Sequence, residues 1–352
     1  MLRFVLIGCG RIARRHAELL GKGQIEGAAL AAVCDVDPAR AEAFGAEYGV
    51  PHFTDMERMF AEVEADAASI LTPSGMHADH AIRAAGAGLH VVVEKPMALR
   101  LADADAMIRA CDRARVKLFV VKQNRFNVPV MKAREALDQG RFGQLVLGTV
   151  RVRWCRDQSY YDQDPWRGTW AQDGGVLSNQ ASHHIDLLEW FMGPVRAVHA
   201  RAKTALVEIE AEDTAVATLE FANGALGVIE ATNATRPKDL EGSLSVLGAK
   251  GSVVIGGFAV NKMLHWQFSE TEAEDAEVLE RFSVNPPNVY GYGHQAYYEH
   301  VVHCLNTNSA ALVDGLEGRR SLELITALYE SIETGEPVSL RLNATHSRLG
   351  AA

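Results

Sequence analysis

A chain of 352 residues exceeds what one hydrophobic core usually organises, so about two domains of roughly 150 residues each are expected. Hydrophobic residues at 48% and charged residues at 23% exclude intrinsic disorder, collagen-like repeats and a low-complexity scaffold. A net charge of −10 opposes sequence-independent attraction to phosphate backbones or anionic lipid, so neither nucleic acid nor membrane is an expected partner.

The N-terminal stretch MLRFVLIGCGRIARRH has an apolar run too short for a signal h-region or a membrane span, and reads as the first strand of a cytoplasmic protein. The five cysteines, Cys9, Cys34, Cys111, Cys155 and Cys304, form no CxxC pair and no Cys/His cluster. They read as free thiols in a reducing compartment, and no metal is expected. From Phe4 to about Lys122, short β-branched runs alternate with alanine-rich stretches, the pattern of βαβ units and a parallel sheet. Strands are predicted at Phe4–Ile7, Leu30–Cys34, Ala68–Leu71, Val91–Val93 and Leu118–Val121. Asp37-Pro38 supplies an N-cap followed by proline at the first helical position, and Gly49 and Gly88 stand where helices should stop.

Beyond Asn124 the pattern changes. A helix over Val128–Leu137 leads into an alternating strand, Val146–Trp154, and alternation means that one face is wet. Hairpin signals join Thr214–Phe221 to Ala225–Ala231, and Leu244–Leu247 to Val253–Ile255. Helices predicted at Gly174–Met192, His294–Leu305 and Leu316–Ile332 cover one face of the resulting sheet. The other face needs cover too, which predicts a homo-oligomer, a dimer or tetramer. The expected architecture is an α/β Rossmann domain over residues 1–122, then an α+β domain with a large, mainly antiparallel open sheet over 123–352.

Gly8-Cys9-Gly10-Arg11-Ile12-Ala13 is a GxGxxA loop placed directly between a strand and a helix. Such a loop turns sharply at its first glycine, approaches a pyrophosphate at its second, and offers helix N–H groups and a positive dipole end to that anion. Asp35 ends the second strand, where an acidic side chain accepts hydrogen bonds from ribose hydroxyls and repels a 2′-phosphate. NAD is therefore the expected cofactor. Thr72-Pro73 and His77 follow the next strand at the carboxyl edge, where open α/β sheets bind ligands, although His77 equally suits the start of a helix. Glu94-Lys95-Pro96 lies at that same edge, and a lysine there can hold a hydroxyl or shift its pKa.

Between Asp173 and Asp186 runs DGGVLSNQASHHID. On a helix Asn179 and His183 stand four apart and His183 and Asp186 three apart, so all would share one polar stripe. His184 would point about a quarter-turn away. From Arg151 to Trp170 the chain gathers Arg151, Arg153, Arg156 and Arg167 with Trp154, Tyr160, Tyr161, Trp166 and Trp170, side chains suited to diphosphate, carboxylate and ring recognition. Arg151 and Arg153, two apart, equally suit the wet face of a strand. Arg236 and Lys238 add a second basic spot that either holds phosphates or faces water.

GCGRIA, TPSGMH, EKPMAL and DGGVLSNQASHHIDLL, in this order and spacing, resemble the GFO/IDH/MocA oxidoreductase superfamily over nearly the whole chain. More narrowly, VVKQNRFN, SYYDQ, WRGTW, PKDLEGSLSVLG and VYGYGHQAYYEHV resemble the bacterial dehydrogenases of UDP-linked N-acetylglucosaminuronic acid, which oxidise the sugar 3-hydroxyl with NAD on the way to surface polysaccharides. The resemblance implies Lys95 and His183 as the catalytic pair. It places Gly8, Gly10, Arg11, Ile12, Asp35, Thr72, Pro73, His77, Glu94, Lys95 and Gln123 at NAD. It places Arg156, Tyr160, Arg167, Asn179, His183 and Lys238 at the nucleotide sugar. Asn179 stands where many members of the superfamily carry aspartate. A neutral amide is no base, so the proton acceptor is His183 or Lys95. The rival readings are a dehydrogenase of a free sugar or cyclitol such as inositol, and a non-catalytic NAD-sensing regulator, which has no use for Lys95, His183 and the Trp/Arg segment together.

Overall fold

The structure is a computed structural model that describes residues 1–257, 260–283, 292–340 and 347–350. The first residues of the VYGYGHQAYYEHV motif, Val289 to Gly291, lie outside the described residues. The chain forms two compact units, one of Met1–Lys122 with His294–Arg320 and the other of Gln123–Gly293 with Ser321–Ala352. The return of 294–320 to the first unit departs from the sequence expectation, which assigned everything after Lys122 to the second.

In the first unit the elements run β1 (Leu2–Ile7), α1 (Ala13–Gly21), β2 (Ala28–Cys34), α2 (Pro38–Tyr48), β3 (His52–Phe53), α3 (Met56–Glu62), β4 (Ala67–Ile70), α4 (His77–Gly86), β5 (His90–Val93), α5 (Leu101–Ala114) and β6 (Leu118–Val120). The strands form a parallel sheet in the order β3-β2-β1-β4-β5-β6, so the five predicted strands are present and the two-residue β3 is added. The sheet core is Phe4, Leu6, Ile70, Val91, Val92, Val93 and Val120, and Ala41, Ala81, Ala84 and Ala104 are fully buried. Small side chains let those helices sit close to the strands. Asp37 caps α2 through the backbone N–H groups of Ala39 and Arg40, as the Asp-Pro pair predicts.

The second unit contains α6 (Val128–Asp138), β7 (Leu145–Arg153), α7 (Gln158–Tyr161), α8 (Ser182–Met192), β8 (Val195–Lys203), β9 (Thr214–Phe221), β10 (Leu226–Thr232), β11 (Glu241–Gly248), β12 (Gly251–Gly256), β13 (Lys262–Phe268) and α9 (Val278–Arg281). The helices α10 (Gly293–Thr307) and α11 (Gly315–Thr334) and the short β14 (Val338–Ser339) complete the chain. The sheet order is β13-β12-β11-β7-β10-β9-β8-β14. Its pairings are antiparallel except β7 with β10.

The helix predicted over Gly174–Met192 begins only at Ser182. Gly174 has φ +80°, and a Cβ there would lie 2.8 Å from Cβ of Ser178. At Gly175 a Cβ would strike the Glu212 carboxylate. The segment before Ser182 is therefore an irregular turn, closed by Ala181 N–H to the Val176 carbonyl at 2.8 Å, and Asn179 does not share a helical stripe with His183. The helix itself packs on β7 and β11. A Cβ at Gly148 of β7 would meet Met192 and Leu188 of α8 at 2.5 and 2.7 Å, so glycine sets the closeness of the helix that carries His183.

Glu212 holds the turn from below. Its Oε1 accepts from the Leu177 backbone N–H and the Tyr329 hydroxyl, each at 2.9 Å, and its own carbonyl accepts from Val176 N–H at 2.9 Å. The side chain is pushed up to about 7 by burial, with Leu177, its own amide and Tyr329 pulling the other way and Asp173 adding to the rise. The folded protein thus keeps this proton to higher pH than the unfolded chain. The resulting stability is complete below about pH 4.5 and is lost as pH rises to about 7, a change of about 3 kcal/mol. Glu212→Gln, neutral throughout, should remove that portion of the pH dependence of the melting temperature. Parallel melting curves of both proteins from pH 4.5 to 8 check it, and identical slopes would refute it. Gly148→Val should cost about 1–3 kcal/mol through overpacking, read as a lower melting temperature.

Candidate active site

In the first unit the order of strands reverses between β1 and β4, the place where open α/β sheets bind nucleotides. Gly8 follows β1 with φ +97°, and a Cβ there would lie 2.8 Å from the Leu71 carbonyl oxygen at the end of β4. No other residue fits. Around Gly10 nothing lies within 4 Å of the Cβ position, which leaves the backbone open to a close-lying phosphate. Helix α1 starts after Ile12 without any side-chain cap, so its first N–H groups remain donors for an anion. Arg11 is exposed and Ala13 is fully buried, the second as close helix packing requires.

Asp35 accepts from the Cys9 backbone N–H at 2.7 Å and from Asp37 N–H at 2.9 Å. These bonds fix a carboxylate beside the glycine loop, where ribose hydroxyls are recognised. The open glycine loop, the uncapped helix and this carboxylate together fit a dinucleotide. Thr72 Oγ1 lies 3.0 Å from His80 Nδ1. His77 begins α4 and is buried, with Nδ1 2.8 Å from the Pro96 carbonyl and Nε2 2.8 Å from the Thr72 carbonyl. Burial pushes its imidazole down, against the pull of those carbonyls. Its ring therefore ties the loop after β4 to the turn after β5. Lys95 is half-buried in that turn, and Glu94 before it points inward, 6% exposed.

In the second unit His183 is half-buried and His184 is 1% exposed. Gln123 Nε2 lies 3.1 Å from His183 Nε2. An amide N–H donates there, so Nε2 of the imidazole carries the lone pair. His184 instead packs its ring edge-on to Trp154 at 5.9 Å, and burial alone pushes it down to about 4, leaving it neutral. Asp186 is not part of a reactive stripe. It is locked in a buried, two-pronged ion pair with Arg125, both bonds at 2.8 Å. Asn179 donates to Asp173 at 2.6 Å, so its amide is oriented by a buried carboxylate on the same turn.

The basic and aromatic segment forms a stacked cluster. Arg156 lies over Trp154 at 5.2 Å and over Tyr160 at 5.5 Å, and Arg167 over Tyr160 at 4.7 Å and Trp166 at 4.6 Å. Arg167 also donates to the Tyr160 hydroxyl at 2.8 Å and to Asp164 at 3.0 Å, while Arg156 donates to Asp239 at 3.0 Å. Lys238 is exposed. Arg153, by contrast, pairs with Glu230 at 2.6 Å and Glu241 at 3.1 Å, and Arg151 faces the same two acids at 4.0 and 3.6 Å. Those two arginines belong to the sheet face.

Gln123, expected at NAD, sets its amide on His183, and Asp186, expected on the His183 stripe, pairs with Arg125; Arg125 and His16 escaped the sequence reading. The last had a signal. Ala13, His16, Ala17 and Leu20 fall at i, i+3, i+4 and i+7 of α1 and are all buried, so a polar ring occupies a core position.

Residues 2–122 match the GFO/IDH/MocA oxidoreductase family model for the NAD-binding Rossmann fold, and residues 134–340 match the family's C-terminal alpha/beta domain. These family models keep 294–320 with the C-terminal domain, unlike the division into compact units. The chain is 45% identical to the WlbA dehydrogenase of Bordetella pertussis, solved in complex with NADH and UDP-GlcNAcA, covering 97% of this chain and 98% of that one with a TM-score of 0.93. It is 44% identical to the WlbA dehydrogenase of Chromobacterium violaceum, solved with the same two ligands, covering 97% and 96% with a TM-score of 0.91. The myo-inositol 2-dehydrogenase of Thermotoga maritima is 32% identical over 72% of this chain and 74% of its own length. The chain belongs to the GFO/IDH/MocA family of oxidoreductases, with NAD as the cofactor of its Rossmann fold.

Proposed function

We propose that this protein is a dehydrogenase that oxidises the 3-hydroxyl of UDP-N-acetylglucosaminuronic acid, or a close nucleotide-linked uronic acid, to the 3-keto sugar, in the cytoplasm and on a route to surface polysaccharides. The similarity to a WlbA dehydrogenase bound to UDP-GlcNAcA, at 45% identity over 97% of this chain, carries this reading. The Arg156, Tyr160 and Arg167 cluster supports it from the chain's own chemistry, because stacked guanidinium groups suit diphosphate and carboxylate. Asn179 and Lys238 complete the residues assigned to the sugar nucleotide.

NAD, when bound, supplies the hydride acceptor. The protein supplies the proton chemistry and the positioning. His183 takes the hydroxyl proton at Nε2, the nitrogen that the Gln123 amide keeps unprotonated; the sugar hydroxyl replaces that amide as hydrogen-bond donor. Lys95, as an ammonium at the end of β5, holds and polarises the sugar oxygen. The sugar carbon thus loses hydride, its hydroxyl loses the proton, and a ketone remains.

Either Lys95→Ala or His183→Ala should slow turnover about 10²–10⁴-fold, the usual loss for an acid–base group, while NAD binding is kept. The double variant should be little worse than the poorer single one, because groups acting as a unit are not additive. His184→Ala should lower stability rather than turnover. Progress curves of reduced nicotinamide with UDP-N-acetylglucosaminuronic acid and with myo-inositol check these outcomes. Preferential oxidation of free inositol would overturn the nucleotide-sugar assignment, and wild-type rates for His183→Ala would overturn its role. Titration by tryptophan fluorescence should show NAD binding more tightly than NADP, with Asp35→Ala narrowing the gap.

We also propose a homo-oligomer through the outer face of the eight-stranded sheet. There Leu226, Val228 and Val216 are exposed on neighbouring strands, flanked by the Arg151, Arg153, Glu230 and Glu241 ion pairs. Val228→Asp should then lower the mass found by light scattering. A wild-type protein that is already monomeric at micromolar concentration would refute the interface.

A further inference from the structure

Glu94 directly precedes Lys95, yet its carboxylate is buried among three other elements of the same unit. Its Oε1 lies 3.0 Å from His16 Nε2 on α1 and 3.5 Å from His294 Nε2 on α10. Its Oε2 accepts the Lys95 backbone N–H at 3.0 Å. Behind His16 the chain of contacts continues, with Nδ1 2.7 Å from the Tyr298 hydroxyl and that hydroxyl 2.9 Å from Ser69 Oγ. His16, Ser69 and Tyr298 are fully buried and His294 is 1% exposed.

With an ionised Glu94 and a neutral His16, one direction of protons satisfies this chain. Ser69 O–H donates to Tyr298, Tyr298 O–H donates to His16 Nδ1, and His16 Nε2–H donates to Glu94. The reverse direction would turn an imidazole lone pair toward a carboxylate. Burial opposes the charge on Glu94, and His16 and His294 outweigh it, holding the carboxyl well below its usual range. Burial likewise pushes His16 down, toward the neutral ring that the relay requires.

We infer that Glu94 is a positioning residue for Lys95: the relay from Ser69 through Tyr298 and His16, together with His294, fixes a carboxylate that in turn fixes the backbone of the reacting lysine at the carboxyl edge of the sheet. The inference rests on Lys95 acting in the proposed dehydrogenation. It gives α10, far along the sequence, a role in catalysis exerted through Glu94. Tyr298→Phe is the sharpest probe, because it keeps the ring that packs edge-on to Phe4 at 5.6 Å and removes only the hydroxyl that links Ser69 to His16.

The test measures turnover with UDP-N-acetylglucosaminuronic acid, and NAD affinity separately, for Tyr298→Phe and Glu94→Gln in the wild-type and Lys95→Ala backgrounds. With Lys95 present, kcat should fall about tenfold or more in both variants, within the roughly 10²-fold loss that a small misplacement causes, while the NAD affinity of Tyr298→Phe stays within about twofold. In the Lys95→Ala background the same changes should add less than about twofold, since the lysine they position is gone. Equal losses in both backgrounds would mark a merely structural role and overturn the inference, as would wild-type turnover for both variants. The donor atoms of His16, Glu94 and His294 all lie within 4.8 Å of one another, so the metal content of the purified protein is measured too. One divalent cation per chain, lost in His294→Ala, would replace the hydrogen-bonded relay with a metal site. Full turnover by Lys95→Ala would sink the lysine's assignment itself, a result distinct from each of these.

Discussion

The buried ion pair of Arg125 and Asp186 governs the reactive half of the second unit. Arg125 sits two residues after Gln123, and Asp186 sits one helical turn after His183, so the pair clamps together the two segments that carry the amide and the imidazole. Its two bonds of 2.8 Å and the stacking of Arg125 on Trp190 at 4.9 Å leave little freedom of rotation. Breaking such a pair by removing one partner leaves an uncompensated buried charge and costs about 3–5 kcal/mol. Asp186, which the sequence spacing sets on one stripe with His183, therefore acts as a fastener. His183 is half-buried, whereas Ser182 and His184 beside it are buried.

The first unit uses the same economy of means with different atoms. Its glycine loop is shaped by the lack of space at Gly8 and by the open space at Gly10, and Asp35 holds that loop through its backbone before any ribose is bound. Preorganisation of this kind lowers the ordering cost of binding. His77 does the corresponding work between the two loops that follow β4 and β5.

Much of this was legible in the amino-acid order. Strand positions follow from β-branched runs bounded by glycine and proline, and the loop of Gly8 and Gly10 announces its chemistry because backbone approach to phosphate demands small residues. The motif order alone resembles the family whose models match the chain. What stayed hidden depends on long-range pairing. Periodicity made Gly174–Met192 one helix, but tertiary contact between Gly175 and Glu212 overrides it. β8 is masked because its inward positions after Val198 are alanines, weak strand formers, and β13 because Leu264 puts an apolar side chain on the exposed face. That Asp186 would serve Arg125, 61 residues away, no local pattern could announce.

The return of residues 294–320 to the first unit carries a consequence for synthesis on the ribosome. When Lys122 emerges, the N-terminal sheet is complete in strands but lacks Tyr298 against Phe4 and His294 beside Glu94. At about 5–20 residues per second, about 9–35 s pass before those partners are made. Throughout that interval the nascent chain carries a half-satisfied acid in its interior and an uncovered apolar edge. The Rossmann unit is thus the first to be synthesised, yet the packing of Phe4 and the surroundings of Glu94 are completed only once α10 has been translated.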